Sequence, residues 1–481
     1  MNRCFIALFV SLVGLVASAA QQTKTNVVCF VRFADEDETV FTNTPEHYAT
    51  LFNGDGEEVN SVYSYFKWVS YGNLDWKTSF FPSQAGSTIV VSYQDKLVRN
   101  ALRPKSDSNP DGYSGGDLGG SLAEQGLIQR ACEYLTSVLS DDDITFLTID
   151  NLTVVFSGNS ERYSRDGILW PHQDMMRWKQ ASIKGKPVYR YLIVFDAGNG
   201  YSQGKPKAIN TGVLCHEMSH ALGTYDLYTS DSFSPVGIWD LMSNNQTVPQ
   251  GMTAYMRSRY GGWIPDIPTI TSDGIYTLNP VGSDTPDNVA YKIVPDATRG
   301  EYFMLEYRRN IGTFESSLPA SGLLCYRINQ GVSSNLQTPY EVYIFRPGGT
   351  AQNNGNVEKA ALSSDLGNTS LNVSSSLSAV YYSNGDAVPF AITEVGHAGE
   401  TISFRVTLDG SGVEGVEDGY MKPYYNSAGG ILVAPEDARV EVYSLNGTLC
   451  MKGRDISSLP SGAYLVRVFA NGTSTTLKIV K

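Results

Sequence analysis

An α/β domain followed by two β-rich modules is the architecture this sequence predicts, and three observations predict it. Between residues 26 and 200, apolar strand-like runs alternate with amphipathic helical stretches. Beyond Trp263 the pattern changes to short strand-like runs separated by Gly, Pro, Asn and Asp turns. Length and composition agree: 481 residues imply two to four domains, and 29 Tyr, 46 Gly and 11% aromatics favour β-rich extracellular architecture over a helical bundle.

Residues 1–19 read as an export signal. Asn2 and Arg3 form a short polar start, Cys4 to Val16 an apolar core, and Ala17-Ser18-Ala19 a small-residue cleavage site before Ala20. That core is too short for a membrane span, and no later segment offers about eighteen uninterrupted apolar residues. The expectation is an exported chain without a transmembrane helix. Within residues 20–265, Val27 to Val31 and Leu152 to Phe156 read as buried strands, and Ser61 to Val69 and Leu122 to Val138 as amphipathic helices. Tyr189 to Phe195 reads as a strand just before a further helix. Leu152 to Ser157 is taken as the edge of the sheet, able to pair with an extended peptide.

Residues 266–409 carry seven strand-like runs: Ile275 to Pro280, Ala290 to Val294, Tyr302 to Tyr307, Leu323 to Ile328, Tyr340 to Phe345, Phe390 to Val395 and Thr401 to Val406. That rhythm predicts an all-β sandwich that bears no catalytic constellation, which leaves a supporting or positioning role and carbohydrate or protein binding both open. Residues 410–419 form a Gly- and acid-rich linker. In 420–481, Val440 to Ser444 reads as a strand entering an Asn446-Gly447 hairpin turn, with further strands at Leu459 to Val468 and Leu477 to Lys481.

The net charge of −13 argues against a nucleic-acid partner, because phosphate binding needs clustered Lys and Arg. Cys29, Cys132, Cys215, Cys325 and Cys450 are too widely spaced to define a disulfide framework. Buried thiols, with one pair at most, are the expectation.

Function is carried by His216-Glu217-Met218-Ser219-His220-Ala221-Leu222-Gly223-Thr224-Tyr225-Asp226. Positions i and i+4 of a helix share a face, so His216 and His220 can aim at one ion while Glu217 adjoins them as a base. Asn210 or Thr211 caps the helix, and Gly223 accepts the left-handed backbone that turns the chain and returns Asp226 toward the histidines. Two histidines and a carboxylate, with the fourth position open, is a catalytic zinc arrangement. Cys215 points elsewhere, about 100° around the helix from His216. Downstream, Met242 in Gly237-Ile238-Trp239-Asp240-Leu241-Met242-Ser243 resembles the Met-turn beneath metzincin sites.

H-E-x-x-H-x-x-G-x-x-D followed by W-D-x-M resembles the secreted metallopeptidases of the immune inhibitor A family. Val27 to Asp35, Tyr63 to Gly72, Ile168 to His172 and Tyr302 to Arg308 have counterparts there, so the similarity covers about residues 26–330. The resemblance implies an α/β zincin (metzincin-like) catalytic domain in which His216, His220 and Asp226 bind zinc, Glu217 is the general base, and Met242 supports the site without ligating. Thr224 stands where the family often has Leu and Tyr225 where it has Pro. Some metzincins place an oxyanion-steadying tyrosine two residues after the Met; that position is Asn244, and Tyr228, Tyr255 and Tyr260 are left as substitutes. Residues 420–481 resemble the C-terminal sorting domain of type IX secretion, which implies a small β-sandwich recognised by an outer-membrane translocon.

Asp107-Ser108-Asn109-Pro110-Asp111-Gly112 matches both the opening of a calcium loop, with Asp117 nearby but Leu118 where its glutamate belongs, and a plain turn. His172 reads either as a cleft residue or as a structural histidine. The functional expectation is a secreted zinc endopeptidase acting on proteins or peptides. The alternative is an exported adhesin whose peptidase domain is degenerate.

Overall fold

The computed structural model describes residues 21–145, 147–160, 167–199, 201–202, 205–229, 233–350, 353–371, 380–408, 424–426, 431–433, 438–445, 447–470 and 473–481. The export signal at 1–19 and the linker at 410–419 lie outside the described residues. Those described fall into two compact units divided between Gly412 and Val413.

Strands β1 (Gln22–Arg32), β2 (Leu74–Phe80), β3 (Tyr93–Gln94), β4 (Asn151–Phe156), β5 (His172–Met175) and β6 (Arg190–Phe195) form one sheet. Its order is β2-β1-β4-β6-β5, with β3 on the C-terminal end of β1. Every pairing is parallel except β5 with β6. Side-chain alternation along β1 feeds two cores. Val28 and Phe30 join the one containing helices α1 (Pro45–Asn53) and α2 (Val62–Val69), while Val27, Cys29 and Val31 meet α3 (Gly116–Val138).

One expectation is corrected here. The run from Leu152 does not form an edge: β4 sits between β1 and β6 with all six residues buried. A continuous apolar run is the mark of a strand covered on both faces, and parallel strands need that cover. The two edges are β2 and β5, and the β5 sequence His-Gln-Asp-Met carries no such signal.

Further along lie helices α4 (Thr211–His220) and α5 (Ala254–Arg259), then strands β7 (Gly274–Leu278), β8 (Ala290–Ile293), β9 (Glu301–Arg308), β10 (Gly322–Asn329), β11 (Val342–Ile344), β12 (Ala391–Thr393) and β13 (Ile402–Thr407). All seven runs read from the sequence fall on these strands. They build two antiparallel sheets, β8-β9-β10-β11 and β7-β13-β12. Along β9, Phe303, Leu305 and Tyr307 share a core with β7, β12 and β13. Met304 belongs instead to the core of Met218, Trp239 and Met242, together with Tyr326, Val342 and Ile344. The four-stranded sheet is thus buried on both faces, and residues before and after position 265 share one core.

Glu306 and Arg308 alternate with the apolar positions of β9, and both are fully buried. Arg308 Nε and Nη2 donate to Glu315 at 2.9 and 2.7 Å, and its Nη1 donates to the Trp239 carbonyl. Glu306 Oε2 accepts from the Ala254 amide at 2.7 Å and from the Tyr326 hydroxyl at 2.6 Å. Removing one member of such a network strands the others without water. Arg308→Met is expected to destabilise the larger unit by about 3–5 kcal/mol, read as a lower urea midpoint. A change below about 1 kcal/mol, typical of exposed pairs, contradicts this.

In the second unit, β14 (Arg439–Ser444), β15 (Leu449–Lys452), β16 (Ala463–Ala470) and β17 (Thr473–Val480) form an antiparallel sheet in the order β15-β14-β16-β17. Val440, Val442, Val466, Val468 and Ile479 make its core with Leu432 and Ile456. Cys29, Cys132, Cys215 and Cys325 are buried free thiols, whereas Cys450 is free and exposed on β15. Among the described residues, no helix is long and apolar enough to cross a membrane.

Candidate metal centre

Helix α4 begins where Asn210 Oδ1 accepts the Val213 amide at 3.1 Å. Gly212 lets the loop carbonyl of Gln246 approach so closely that a Cβ would sit 1.7 Å from it. The helix ends at His220, and Gly223 takes φ 95°, a left-handed conformation that turns the chain out of the helix.

Both imidazoles are oriented by backbone carbonyls. His216 Nδ1 lies 3.0 Å from the Leu241 carbonyl and His220 Nδ1 2.9 Å from that of Thr224. A carbonyl only accepts, so each Nδ1 carries the proton and each neutral ring presents a lone pair at Nε2. Those lone pairs converge on Asp226: its Oδ1 is 3.2 Å from His216 Nε2 and 3.4 Å from His220 Nε2. Oδ1 is fully buried and receives no well-formed hydrogen bond. Glu217 completes the cluster, with candidate ligand atoms of His216, Glu217 and His220 all within 4.8 Å of one another.

Three electron-rich atoms at this spacing repel unless positive charge sits among them. A proton supplies it in part. Burial opposes a charge on His216, yet Asp226 and Glu217 outweigh it and push the imidazole up to about 9. Burial likewise raises Asp226, and the two imidazoles more than offset this, holding its carboxyl well below the usual range. A divalent cation satisfies all three atoms at once: tetrahedral arms of about 2.0–2.1 Å put ligand atoms about 3.3 Å apart. The donor set fits such an ion, and the carbonyl on each Nδ1 is the outer support that ligating histidines require.

Met242 is fully buried in the core that also holds Met218 and Trp239. Its amide donates to Asp240 Oδ1 at 2.8 Å, and its carbonyl accepts from the Leu227 amide at 2.8 Å. The turn therefore ties the Leu241 carbonyl that orients His216 to the loop that carries Asp226. Asn335, absent from any motif, props the same loop. Its amide donates to the Asp226 carbonyl at 3.0 Å, and its Nδ2 donates to the Leu227 and Val342 carbonyls at 3.1 and 2.7 Å. Only a polar residue in an otherwise loop-like stretch marked it, too weak a signal to single it out.

His172 is a structural histidine at the wall of the site. It lies on edge strand β5, its ring stacked 4.3 Å from Trp170. Nδ1 is 2.7 Å from the Trp170 carbonyl and Nε2 3.1 Å from Glu124 Oε1, which also accepts from the Tyr191 hydroxyl. Two acceptors on one ring require an imidazolium. Burial opposes that charge, but Glu124 prevails, with Glu217 contributing, and the group is pushed up to about 9. Stability from this pair is therefore complete below about 6.5, the ordinary histidine value, and is lost as pH rises through about 9. The difference in urea midpoint between wild type and His172→Gln is expected to shrink across that window, by on the order of 3 kcal/mol in free energy. A difference independent of pH contradicts the charged pair.

Of the three tyrosines left open by the sequence, two are engaged elsewhere. The Tyr255 and Tyr260 hydroxyls each donate to Glu341 Oε1 at 2.8 Å. Tyr228 lies over His216, with ring centroids 6.4 Å apart and planes 21° apart. Asp107, Asn109 and Asp111 form a turn: Asn109 Nδ2 donates to the Asn100 and Pro104 carbonyls at 2.9 and 3.0 Å, and the Ser106 and Asn109 backbones pair. Asp107, Asp111 and Asp117 do not gather into a cluster of metal-ligand spacing; among the described residues the one such group is His216, Glu217 and His220.

Compared with known protein families and with curated proteins, the chain matches none.

Proposed function

We propose that this chain is an exported zinc-dependent endopeptidase with a metzincin-like catalytic domain. The observation that carries the reading is the convergence of His216 Nε2, His220 Nε2 and Asp226 Oδ1 with Glu217 alongside. His216, His220 and Asp226 hold the ion. When bound, zinc polarises a scissile carbonyl and acidifies water. Glu217 takes the proton of the attacking water and later delivers it to the departing amine. The carbonyls of Leu241 and Thr224 keep the two rings aimed, and the Met242 turn fixes the loop from which Asp226 reaches them. Edge strand β5 pairs with β6 alone, and its other side is where an extended peptide can add as a further strand. That mode of holding backbone favours proteins and peptides as substrates over small molecules.

Export rests on the signal pattern at 1–19 and on the sorting-domain resemblance of 420–481, whose three strand-like runs fall on β14, β16 and β17. The translocon of type IX secretion is the partner this proposes. Digestion of casein by purified protein tests the activity. Cleavage that a chelator stops and added zinc restores is the expected result, and absence of cleavage by the zinc-loaded protein contradicts it.

A further inference from the structure

Ligands that are aimed before an ion arrives hold it more tightly, so whatever fixes the support behind an imidazole bears on affinity. His220 is oriented locally, by the Thr224 carbonyl four residues on, whereas His216 depends on the Leu241 carbonyl 25 positions away. The segment around Leu241 is engaged at each neighbouring carbonyl. Arg308 Nη1 donates to that of Trp239, Gln250 Nε2 to that of Asp240 at 3.2 Å, and the Leu227 amide to that of Met242 at 2.8 Å. Gln250 is fully buried and donates also to the Ile238 and Asn244 carbonyls, at 2.8 Å each, so it brackets the turn. The direction of the Leu241 carbonyl itself is fixed from the far side of its own peptide plane. The Leu241–Met242 bond is trans, and in a planar trans peptide C=O and N–H point opposite ways, so holding one end aims the other. That N–H is the Met242 amide, which donates to Asp240 Oδ1 at 2.8 Å. Asp240 is fully buried, and its Oδ2 is fixed in turn by the Thr253 amide at 2.6 Å, where helix α5 begins. A carboxylate on the N–H also polarises the peptide and makes the Leu241 oxygen a stronger acceptor for the His216 ring.

We propose that Asp240 is a positioning residue for the metal centre: through the Met242 amide it aims the Leu241 carbonyl that orients His216, so that the ring presents Nε2 before an ion is bound. This role rests on the reading of His216, His220 and Asp226 as ligands.

Asp240→Asn keeps the size of the side chain and removes its charge and one of its two acceptor oxygens. Zinc affinity of the variant, measured by competition with a chromogenic chelator, is expected to fall by about 10–100-fold. The visible bands of the cobalt(II)-loaded variant, which report ligand geometry, should differ from those of wild type. Leu135→Ala is the control for stability alone. It opens the core on the other face of the sheet, lowers the unfolding midpoint, and should leave zinc affinity and the cobalt spectrum as in wild type. Wild-type affinity and spectrum in Asp240→Asn overturn the assignment, as does an equal loss of affinity in Leu135→Ala, which makes the effect one of general loosening. Hydrogen exchange in the metal-free wild type needs no variant. The peptide spanning Leu241 and Met242 should already be protected there, and a turn that exchanges freely until zinc is added overturns the role. A wild type that binds no zinc overturns the metal reading together with this role, whereas zinc bound equally by wild type and Asp240→Asn overturns this role alone.

Discussion

Glu217→Gln is expected to lower peptide-bond hydrolysis by about 10²–10⁴-fold, the span of general base catalysis, while the protein keeps its zinc. The amide is the same shape as the carboxylate but cannot accept a proton at neutral pH. Glu217 adjoins the two imidazoles, with candidate ligand atoms of all three within 4.8 Å of one another, but lacks the carbonyl supports that orient the rings. The substitution leaves His216, His220 and Asp226 untouched, and with them the fit for the ion. Because Glu217 also lies within 4.8 Å of both imidazoles, the same variant asks whether this carboxylate ligates. Near-normal turnover removes it as the base, and lost zinc makes it a ligand.

Asp226→Ala carries the second large effect, in the opposite sense. It is expected to lower zinc affinity by more than about 100-fold, beyond what changes to supporting residues produce, and activity should fall with it. The loop should remain in place. Its backbone is held from two sides that the substitution does not touch, by Asn335 on the Asp226 and Leu227 carbonyls and by the Met242 carbonyl on the Leu227 amide. Thermal unfolding of the metal-free variant should nonetheless begin at a lower temperature than that of metal-free wild type, because the pairing with the two imidazoles that holds the Asp226 carboxyl below its usual range is lost. A variant that keeps stoichiometric zinc assigns the third ligand elsewhere.

The candidate centre was legible in the sequence because its geometry is local. His216 and His220 meet through helix periodicity alone, Asn210 caps and Gly223 turns by intrinsic preference, and Asp226 follows within one short loop. What surrounds the centre was not legible, because it is assembled from afar. Asn335 reaches Leu227 from 108 positions away, and Glu124 reaches His172 from 48. Nothing near either residue in the chain announces its partner. Arg308 and Glu306 sat in a recognisable strand, yet their role depends on that strand being covered on both faces, which alternation of the neighbouring apolar residues shows only once the two cores are known. The edge was misplaced for a related reason. Continuous apolar character in Leu152 to Phe156 reports burial, and one true edge, His172–Met175, is polar and short because one side faces no neighbour.

Native mass spectrometry of the purified chain tests the central claim most directly, by weighing the folded wild type beside Asp226→Ala and His216→Ala after dialysis against trace zinc. One zinc per wild-type chain and none in either variant is the predicted result. A wild type without metal, or variants that retain it fully, would contradict a centre built from His216, His220 and Asp226.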